Sequence, residues 1–249
     1  MRPLPATVLE ELRHLFEVRF TYNSTAIEGN TLTQSETQIV LEKGVTIAGK
    51  SLAEHLEVIG HKEALNFAIE LADATEPIGE REIREIHSLV MKGQGHGDSG
   101  AYRTLDVRAA GTEFVYPSHL HLPELMSDFV GWLGYSSDLH PVEFASEAHL
   151  RFVIIHPFRD GNGRVGRLLM NLLLIRCGYP IAVLPVTRRT EYIDSLEAAQ
   201  SGQGRSKLDA LVADAVLASL RDTLAAAVSA EEVRASHPAV VAAVDAWLG

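Results

Sequence analysis

The chain has 249 residues, of which 46% are hydrophobic and 22% are charged, and its formal net charge is -11. This size and apolar content suit one globular domain, or one domain with a helical extension. The acidic balance argues against a nucleic-acid-binding protein, because phosphate backbones are bound by basic surfaces. A single cysteine, Cys177, excludes an internal disulfide. Its place in an apolar helical run predicts a small buried side chain.

The sequence shows no targeting or membrane-spanning segment. No basic and apolar leader opens the chain, and no run reaches the roughly 18 apolar residues of a membrane helix. We therefore expect a cytoplasmic protein that does not contact a membrane.

Helical spacing of apolar residues runs through most of the chain and predicts a mainly α fold. Thr33 and Glu36 form a capping box at the start of the second helix, which should stop at Gly44. Gly178, with Pro180 beyond it, should end a long apolar helix. The expected helices cover about 5–22, 33–42, 51–69, 80–91, 122–135, 142–155, 163–177, 189–200 and 207–228.

Two short segments have the features of strands. Residues 104–108 and 112–116 are joined across Ala110 and Gly111, which predicts a single β-hairpin. The expected architecture is therefore a helical bundle with one hairpin. Residues 231–249 predict a short extra helix.

The stretch HPFRDGNGRVGR, at 156–167, places polar residues between two apolar helices. Pro157 should end the first helix, and the next should begin near Gly163 with first-turn N–H groups that lack a partner within the helix. The glycines on either side of Asn162 let backbone approach a ligand without a Cβ clash. A helix N-terminus of this kind binds anions through its N–H groups and its dipole.

The charged residues of this stretch fit phosphate chemistry. Arg164 and Arg167 are three residues apart, so both can project toward the helix start and hold phosphate oxygens. Asp160 has a use beside phosphates if a hard cation such as Mg²⁺ bridges them. A histidine ordinarily titrates near neutrality, so His156 is a candidate to take a proton from an attacking hydroxyl. The stretch predicts phosphoryl-group chemistry on a nucleotide–Mg²⁺ complex; a plain helix connection capped by Asp160 is the simpler alternative.

The same stretch resembles the signature of Fic-domain proteins, His-x-Phe-x-Asp/Glu-Gly-Asn-Gly-Arg-x-x-Arg, and fills every specified position. The segments TAIEGNTLT, GAYR, LLMNLLLIRCGYP and EYIDSLEAA also stand in the order of that family, so the similarity runs from about residue 3 to residue 220. It implies a Fic-type helical bundle with a hairpin flap. The core would span 51–230, after N-terminal helices at 1–50 and before an extension at 231–249 in which a further module could start.

The resemblance implies a protein adenylyltransferase. In this reaction a hydroxyl group of a target protein attacks the α-phosphate of ATP, and pyrophosphate leaves. His156 would be the general base, Asp160 the ligand of Mg²⁺ or Mn²⁺, and Phe158 a core anchor of the loop.

The implied phosphate contacts lie on the same stretch. Gly161, Asn162 and Gly163 would form the anion hole for the α- and β-phosphates. Arg164 would hold the β-phosphate, and Arg167 the γ-phosphate.

The hairpin would be the flap that aligns the target segment by strand addition. The flap residues expected nearest the nucleotide are Val107, Arg108, Ala109 and Ala110. Tyr192 and Gln200 are expected on the adenine side, although the family usually has asparagine where Gln200 stands.

A second motif, STAIEGN at 24–30, precedes the core. By itself Glu28 would be a solvated residue at a helix end, because Gly29 follows it. The stretch also resembles the family's inhibitory motif, Ser/Thr-x-x-x-Glu-Gly/Asn, with Ser24, Glu28 and Gly29 in register. This resemblance implies that Glu28 pairs with Arg167 and leaves the α-phosphate of bound ATP misaligned. In some relatives the same glutamate helps to remove AMP from a modified target.

Two alternatives remain open. The same fold supports transfer of another nucleotide, such as UMP or GMP, and the sequence does not indicate the base. The site could instead be a nucleotide sensor in a regulatory protein. The expected partners are ATP and an unidentified target protein that docks near 104–116, and a homodimer is a further possibility.

Overall fold

The computed structural model describes residues 6–94, 97–108, 114–135 and 138–229, together with positions 241, 242, 244 and 246. Within these residues the chain forms helices and no β-strand. The helices are α1 (Ala6–Ile27), α2 (Gln34–Lys43), α3 (Leu52–Asp73), α4 (Glu80–Val90), α5 (Leu122–Gly134), α6 (Pro141–Ile155), α7 (Asn162–Arg176), α8 (Arg189–Gln200) and α9 (Ser206–Ser229). Short 3₁₀ helices lie at His119–His121 and Val186–Arg188.

Helix α7 lies at the centre of the core. Every residue from Val165 to Leu174 is buried, and α7 packs against α3, α4 and α6. A fully buried leucine such as Leu168 or Leu172 stabilises the fold by about 1.5–3 kcal/mol. Because α6 and α7 are both held in this core, the loop that joins them at 156–161 has two fixed ends.

The predicted helix caps are confirmed. The Thr33 hydroxyl accepts the N–H of Glu36, and the Glu36 carboxylate accepts the N–H of Thr33. Gly44 ends α2 in the left-handed region, at φ 62°. Ser51 forms a second capping box with Glu54 at the start of α3. Caps of this kind contribute about 1 kcal/mol each.

Two expectations about helix ends need correction. Helix α1 continues past residue 22 to Ile27, because its last turn is buried and packs on the core. The prediction that Cys177 is buried is wrong. Helix α7 ends at Arg176, and Cys177 is its capping residue at the surface, where it is exposed. The apolar run therefore stops contributing to the core before the cysteine.

The segment predicted to form a hairpin is only partly described, and the hairpin stays a prediction. Its described flanks, 104–108 and 114–116, contain no strand, and residues 109–113 lie outside the described residues. Of the predicted helix at 231–249, only positions 241, 242, 244 and 246 are described, and all four are helical. The part of the chain that the structure describes contains no helix with the length and apolar composition to cross a membrane.

Candidate functional site

The loop between α6 and α7 begins with a residue in an unusual conformation. His156 caps α6 in the left-handed region, at φ 51° and ψ 56°, where side chains other than glycine are rare. Its own N–H donates to the Phe152 carbonyl at 3.0 Å, and its carbonyl accepts from Arg103 Nε at 2.8 Å. Strained backbone of this kind persists when the surroundings hold it, and it is common at functional sites.

The imidazole of His156 is set up to accept a proton. Its Nδ1 lies 3.3 Å from the carbonyl oxygen of Val153, which can only accept, so Nδ1 carries the hydrogen. Nε2 of the neutral ring is then the basic nitrogen. Burial lowers the pKa of His156 to about 4, against the opposing effect of the Val153 hydrogen bond. The ring is therefore neutral at physiological pH.

The side chain of Asn162 closes the loop. Its Oδ1 accepts the N–H of Phe158 at 2.9 Å, and its Nδ2 donates to the carbonyl of the same residue at 2.8 Å. Phe158 is fully buried, which confirms it as the anchor of the loop. Asn162, Gly163 and Arg164 then form the first turn of α7. Their backbone N–H groups have no earlier helical carbonyl to which they can donate.

Helix α4 packs against the loop and supports it. The His87 ring stacks on Phe158 with 3.6 Å between ring centroids and an angle of 1°. Its Nδ1 accepts the N–H of Gly100 at 2.8 Å, so Nε2 carries the hydrogen and donates to the Asp160 carbonyl at 3.1 Å. Burial lowers the pKa of His87 to about 4. Gly161 adopts φ 78°, a left-handed conformation that favours glycine, and it lies against the side chains of Met91 and His87.

Arg167 is buried, with a side chain only 1% exposed, and the protein satisfies its guanidinium. Nη2 donates to Glu28 Oε1 at 2.7 Å and to the Ser24 carbonyl at 2.8 Å. Nε donates to the Ser24 hydroxyl at 3.0 Å, and Nη1 donates to the Tyr192 hydroxyl at 3.3 Å. The structure thus brings together the end of α1 and Arg167 on α7, as the resemblance to the inhibitory motif implies.

Glu28 reaches the start of α7. Ile27 ends α1 and is buried, and Gly29 turns the chain at φ 109°. A Cβ atom placed on Gly163 would collide with Glu28 Oε1, so the carboxylate lies against the first turn of α7. This is the place where an anion would bind, because the N–H groups and dipole of the helix favour negative charge there.

Arg164 has a glutamate partner as well. Its Nη1 donates to Glu57 Oε1 at 2.5 Å, and its Nη2 lies 3.3 Å from Asp160 Oδ1. The other oxygen of Glu57 accepts from Asn30 Nδ2 at 2.8 Å. Burial raises the pKa of Glu57, in opposition to the charge of Arg164. Because α3 already engages this guanidinium, the predicted contact of Arg164 with the β-phosphate stays a prediction.

Comparison with known proteins identifies the family. A Fic/DOC family profile matches residues 77–174. A crystal structure of a Fic domain containing signaling protein from Bacteroides thetaiotaomicron is 31% identical, with a TM-score of 0.82, over 90% of this chain and 93% of that chain. The chain belongs to the Fic/DOC family. The solved Fic-1 of Caenorhabditis elegans is 35% identical with a TM-score of 0.84, over 90% of this chain and 67% of that one.

Curated Fic proteins match over a similar region. The protein adenylyltransferase fic-1 of Caenorhabditis elegans is 39% identical over 204 residues, which are 80% of this chain and 40% of that protein. The protein adenylyltransferase Fic of Nematostella vectensis is 40% identical over 209 residues, 81% of this chain and 48% of that protein. The chain therefore spans less than half the length of these two curated relatives.

Asp160 is the Fic residue expected to bind a divalent cation. Its side chain is 56% exposed, and its Oδ1 accepts the N–H of Gly161 at 2.6 Å. Among the described residues, no cluster of three or more His, Cys, Asp or Glu could hold a metal ion. One exposed carboxylate beside a phosphate site nevertheless fits Mg²⁺, which combines one or two carboxylates with water and phosphate oxygens. Asp160 would hold the cation only together with the nucleotide.

The two residues expected near adenine lie in different surroundings. Tyr192 is buried, and its hydroxyl contacts Arg167 and lies 2.8 Å from His149 Nε2. An adenine contact would require this side chain to be uncovered, so its visible role is to support Arg167. Gln200 is half-buried at the end of α8 and hydrogen-bonds the hydroxyl of Tyr116.

The segment predicted to form the flap is described only at its ends. Val107 is half-buried and Arg108 is exposed, whereas Ala109 and Ala110 lie outside the described residues. The predicted nucleotide contacts of these four residues stay predictions.

Sequence reasoning missed the residues that hold the site from other helices and loops. These residues are Glu57, His87, Arg103 and Tyr116. The GAYR segment contains Arg103, but the other three stand in sequence patterns of ordinary helix or loop residues. No signal in one sequence shows that such residues face a site, because their partners lie far away along the chain.

Proposed function

We propose that this chain is a protein adenylyltransferase that transfers AMP from ATP to a serine, threonine or tyrosine hydroxyl of a target protein, and that Glu28 inhibits it. One observation carries the proposal. A single loop of six residues, 156–161, joins a neutral histidine with an available basic nitrogen to a buried helix whose N-terminus can bind phosphate. The names of the Fic relatives support the same activity.

His156 acts as the general base in this proposal. Nε2 accepts the proton of the target hydroxyl while the hydroxyl oxygen forms a bond to the α-phosphorus of ATP. The bond between that phosphorus and the bridging oxygen breaks, and pyrophosphate leaves with the electron pair. The contact of Nδ1 with Val153 keeps the hydrogen on the far side of the ring. A base held in this way contributes to the rate through its orientation as well as through proton transfer.

The start of α7 binds the phosphates. Its free N–H groups and dipole stabilise negative charge, and Arg167 supplies a further charge once its partner is removed. A Mg²⁺ or Mn²⁺ ion, when held by Asp160 and the nucleotide, would neutralise phosphate charge. The half-exposed carboxylate of Asp160 supports this assignment.

Glu28 inhibits by occupying the phosphate site. Its carboxylate lies against Gly163 and pairs with Arg167, so a γ-phosphate would have to displace it. ATP then binds without the alignment needed for attack on the α-phosphate. Coupling between such sites is typically worth about 1–3 kcal/mol. The same carboxylate, which is 36% exposed, could orient a water in the reverse removal of AMP.

The target protein docks beside His156, along residues 104–116. In the described flanks of this segment Leu105 and Val115 are exposed, so their side chains are available to contact the target. A homodimer and a cytoplasmic location are part of the proposal, and neither is needed for the chemistry.

The test uses ATP radiolabelled at either the α- or the γ-phosphate, with the Glu28→Gly variant as enzyme. AMP transfer predicts protein labelling from α-labelled ATP alone, lost in EDTA and restored by Mg²⁺. His156→Ala in the same background should lower labelling by about 10²–10⁴-fold while ATP still binds. Labelling from γ-labelled ATP would identify a phosphoryl transferase instead, and unchanged labelling in His156→Ala would remove the base assignment.

Transfer of another nucleotide is tested in the same assay. GTP and UTP, each radiolabelled at the α-phosphate, are compared with ATP. Binding of all three without labelling of any protein would support a nucleotide sensor.

A further inference from the structure

Arg103 is a buried arginine that the proposed reaction does not use. Its side chain is 1% exposed, and each of its three nitrogens donates to a different backbone carbonyl. Nε donates to His156 at 2.8 Å, Nη1 to Leu105 at 3.1 Å, and Nη2 to Pro117 at 2.6 Å. One guanidinium therefore joins the residue proposed as base to both ends of the docking segment.

Further bonds strengthen this junction. The backbone N–H of Arg103 donates to the Pro157 carbonyl at 2.9 Å, which ties the start of the segment to the loop a second time. Asp106 Oδ1 accepts the N–H of His119 at 2.8 Å and the hydroxyl of Ser118 at 3.2 Å. The two flanks of the docking segment are thus held to each other as well as to the loop.

The junction also sets an aromatic ring against the base. Tyr116, next to Pro117, is buried, and its ring centroid lies 4.0 Å from that of His156. Burial raises the pKa of Tyr116, in opposition to the hydrogen bond between its hydroxyl and Gln200. The position of the docking segment therefore affects the surroundings of the imidazole directly.

We propose that Arg103 is a positioning residue that fixes both ends of the target-docking segment relative to His156. This inference rests on the proposed function. A target hydroxyl held by the segment must reach Nε2 within hydrogen-bond distance, so the spacing between segment and base decides the rate. The planar guanidinium reaches three carbonyls in a fixed geometry, which the ammonium group of lysine cannot reproduce. Arg103 itself contacts no reacting atom.

Arg176 offers a matched control. It lies at the far end of α7, and its guanidinium also donates to backbone carbonyls, those of Leu71 and Glu76, at 2.9 and 2.7 Å. Arg176→Lys removes a comparable set of bonds without touching the loop or the docking segment. Both substitutions keep the charge.

The experiment compares Arg103→Lys with Arg176→Lys, each in the Glu28→Gly background. We expect Arg103→Lys to lower AMP transfer from α-labelled ATP to protein by at least about tenfold, since small displacements at a reacting centre are costly. The dissociation constant of ATP should change by less than about twofold, because α7 and not Arg103 contacts the phosphates. Arg176→Lys should leave both quantities near those of the parent, even if its melting temperature falls equally.

Hydrogen exchange gives a readout that does not depend on activity. In Arg103→Lys the amides of residue 103 and His119, which donate to the Pro157 carbonyl and to Asp106, should exchange faster, whereas those of α7 should not. If Arg103→Lys does not fold, Asp106→Ala replaces it, with a smaller effect in the same direction. Unchanged transfer, unchanged exchange, or a loss of ATP affinity in step with transfer would overturn the proposal. If the Glu28→Gly parent transfers no AMP, the proposed function fails, and exchange alone decides whether Arg103 holds the segments.

Discussion

Arg164 and Arg167 lie one turn apart on α7, and they differ in how firmly the fold holds their glutamate partners. Both arginines are buried and both pair with a glutamate. Glu57 lies within α3, is 14% exposed, and is held by Asn30 as well. Glu28 follows the end of α1 and is 36% exposed. The first pair is built into the fold, whereas the second can open without breaking a helix.

The difference has an electrostatic basis. Removing one partner of a buried ion pair leaves the other charge without compensation, which is usually strongly destabilising. If Glu57 were removed, Arg164 would lose its closest hydrogen-bond acceptor. Arg167 would keep two bonds to Ser24 and one to Tyr192 after the loss of Glu28. We call Arg167–Glu28 the outer pair and Arg164–Glu57 the inner pair. The proposed function assigns regulation to the outer pair, whereas the inner pair stabilises the fold.

The largest expected effect comes from opening the outer pair. Glu28→Gly should raise self-modification by roughly one to two orders of magnitude, because Arg167 Nη2 loses its carboxylate partner and can bind the γ-phosphate in its place. The double variant Glu28→Gly, Arg167→Ala should lose most of this gain. ADP should bind the wild type and Glu28→Gly with similar affinity, since it has no γ-phosphate.

Autolabelling with α-labelled ATP in these three proteins provides the measurement. Equal labelling of the wild type and Glu28→Gly would mean that Glu28 is only a helix-end residue. The inhibitory role would then have to be withdrawn.

A smaller effect is expected at the inner pair. Glu57→Gln keeps hydrogen-bonding atoms for Arg164 and Asn30 but removes the charge, so it should lower the free energy of unfolding by roughly 1–2 kcal/mol without activating the enzyme. Glu28→Gln is the matched control and should change stability less. Urea unfolding measures the stability of both variants, and autolabelling measures whether either variant is activated. Activation by Glu57→Gln would show that both pairs are regulatory.

The smallest effect concerns pH. Burial lowers the pKa of His87, near Arg164, and of His149, near Arg167, to about 4 from 6.5. Their depressed folded-state values mean that stability is fully present above pH 6.5 and is lost as pH falls toward 4. Between pH 7.5 and pH 5.5 each histidine should cost about 1 kcal/mol.

Melting temperatures measured across this range would test the effect. His87→Gln and His149→Gln should each be less sensitive to acid than the wild type. A wild-type melting temperature that does not change with pH would contradict the lowered pKa values.

The sequence predicts much of this site because its parts are local. The stretch at 156–167 carries the proposed base, the glycines and both arginines within twelve residues, and the capping box at Thr33 marks a helix start directly. The partner of Arg167 was predictable because STAIEGN matches a family motif. Glu57 was not, since a glutamate within a helix resembles a solvated residue until the helix is packed against α7.

The remaining misses have the same cause. Arg103 acts through carbonyl groups, which every residue possesses, so no side-chain pattern marks its partners. Cys177 continues an apolar run in the sequence, yet the surface begins at the end of α7. The flanks of the predicted hairpin have a strand-like sequence pattern. Within the described residues, however, the Arg103 side chain bonds the carbonyls of Leu105 and Pro117, and no β-ladder joins the two flanks.

The exposed Cys177 gives the chain a practical handle. It is the only thiol in the sequence, and it caps the helix whose other end begins the proposed phosphate site. Fifteen helical residues place it roughly 22 Å from that end. A maleimide dye would therefore attach at one known point, far from the loop and rigidly connected to it. Energy transfer from this dye to a fluorescent ATP analogue would report nucleotide binding in real time without altering any residue of the site.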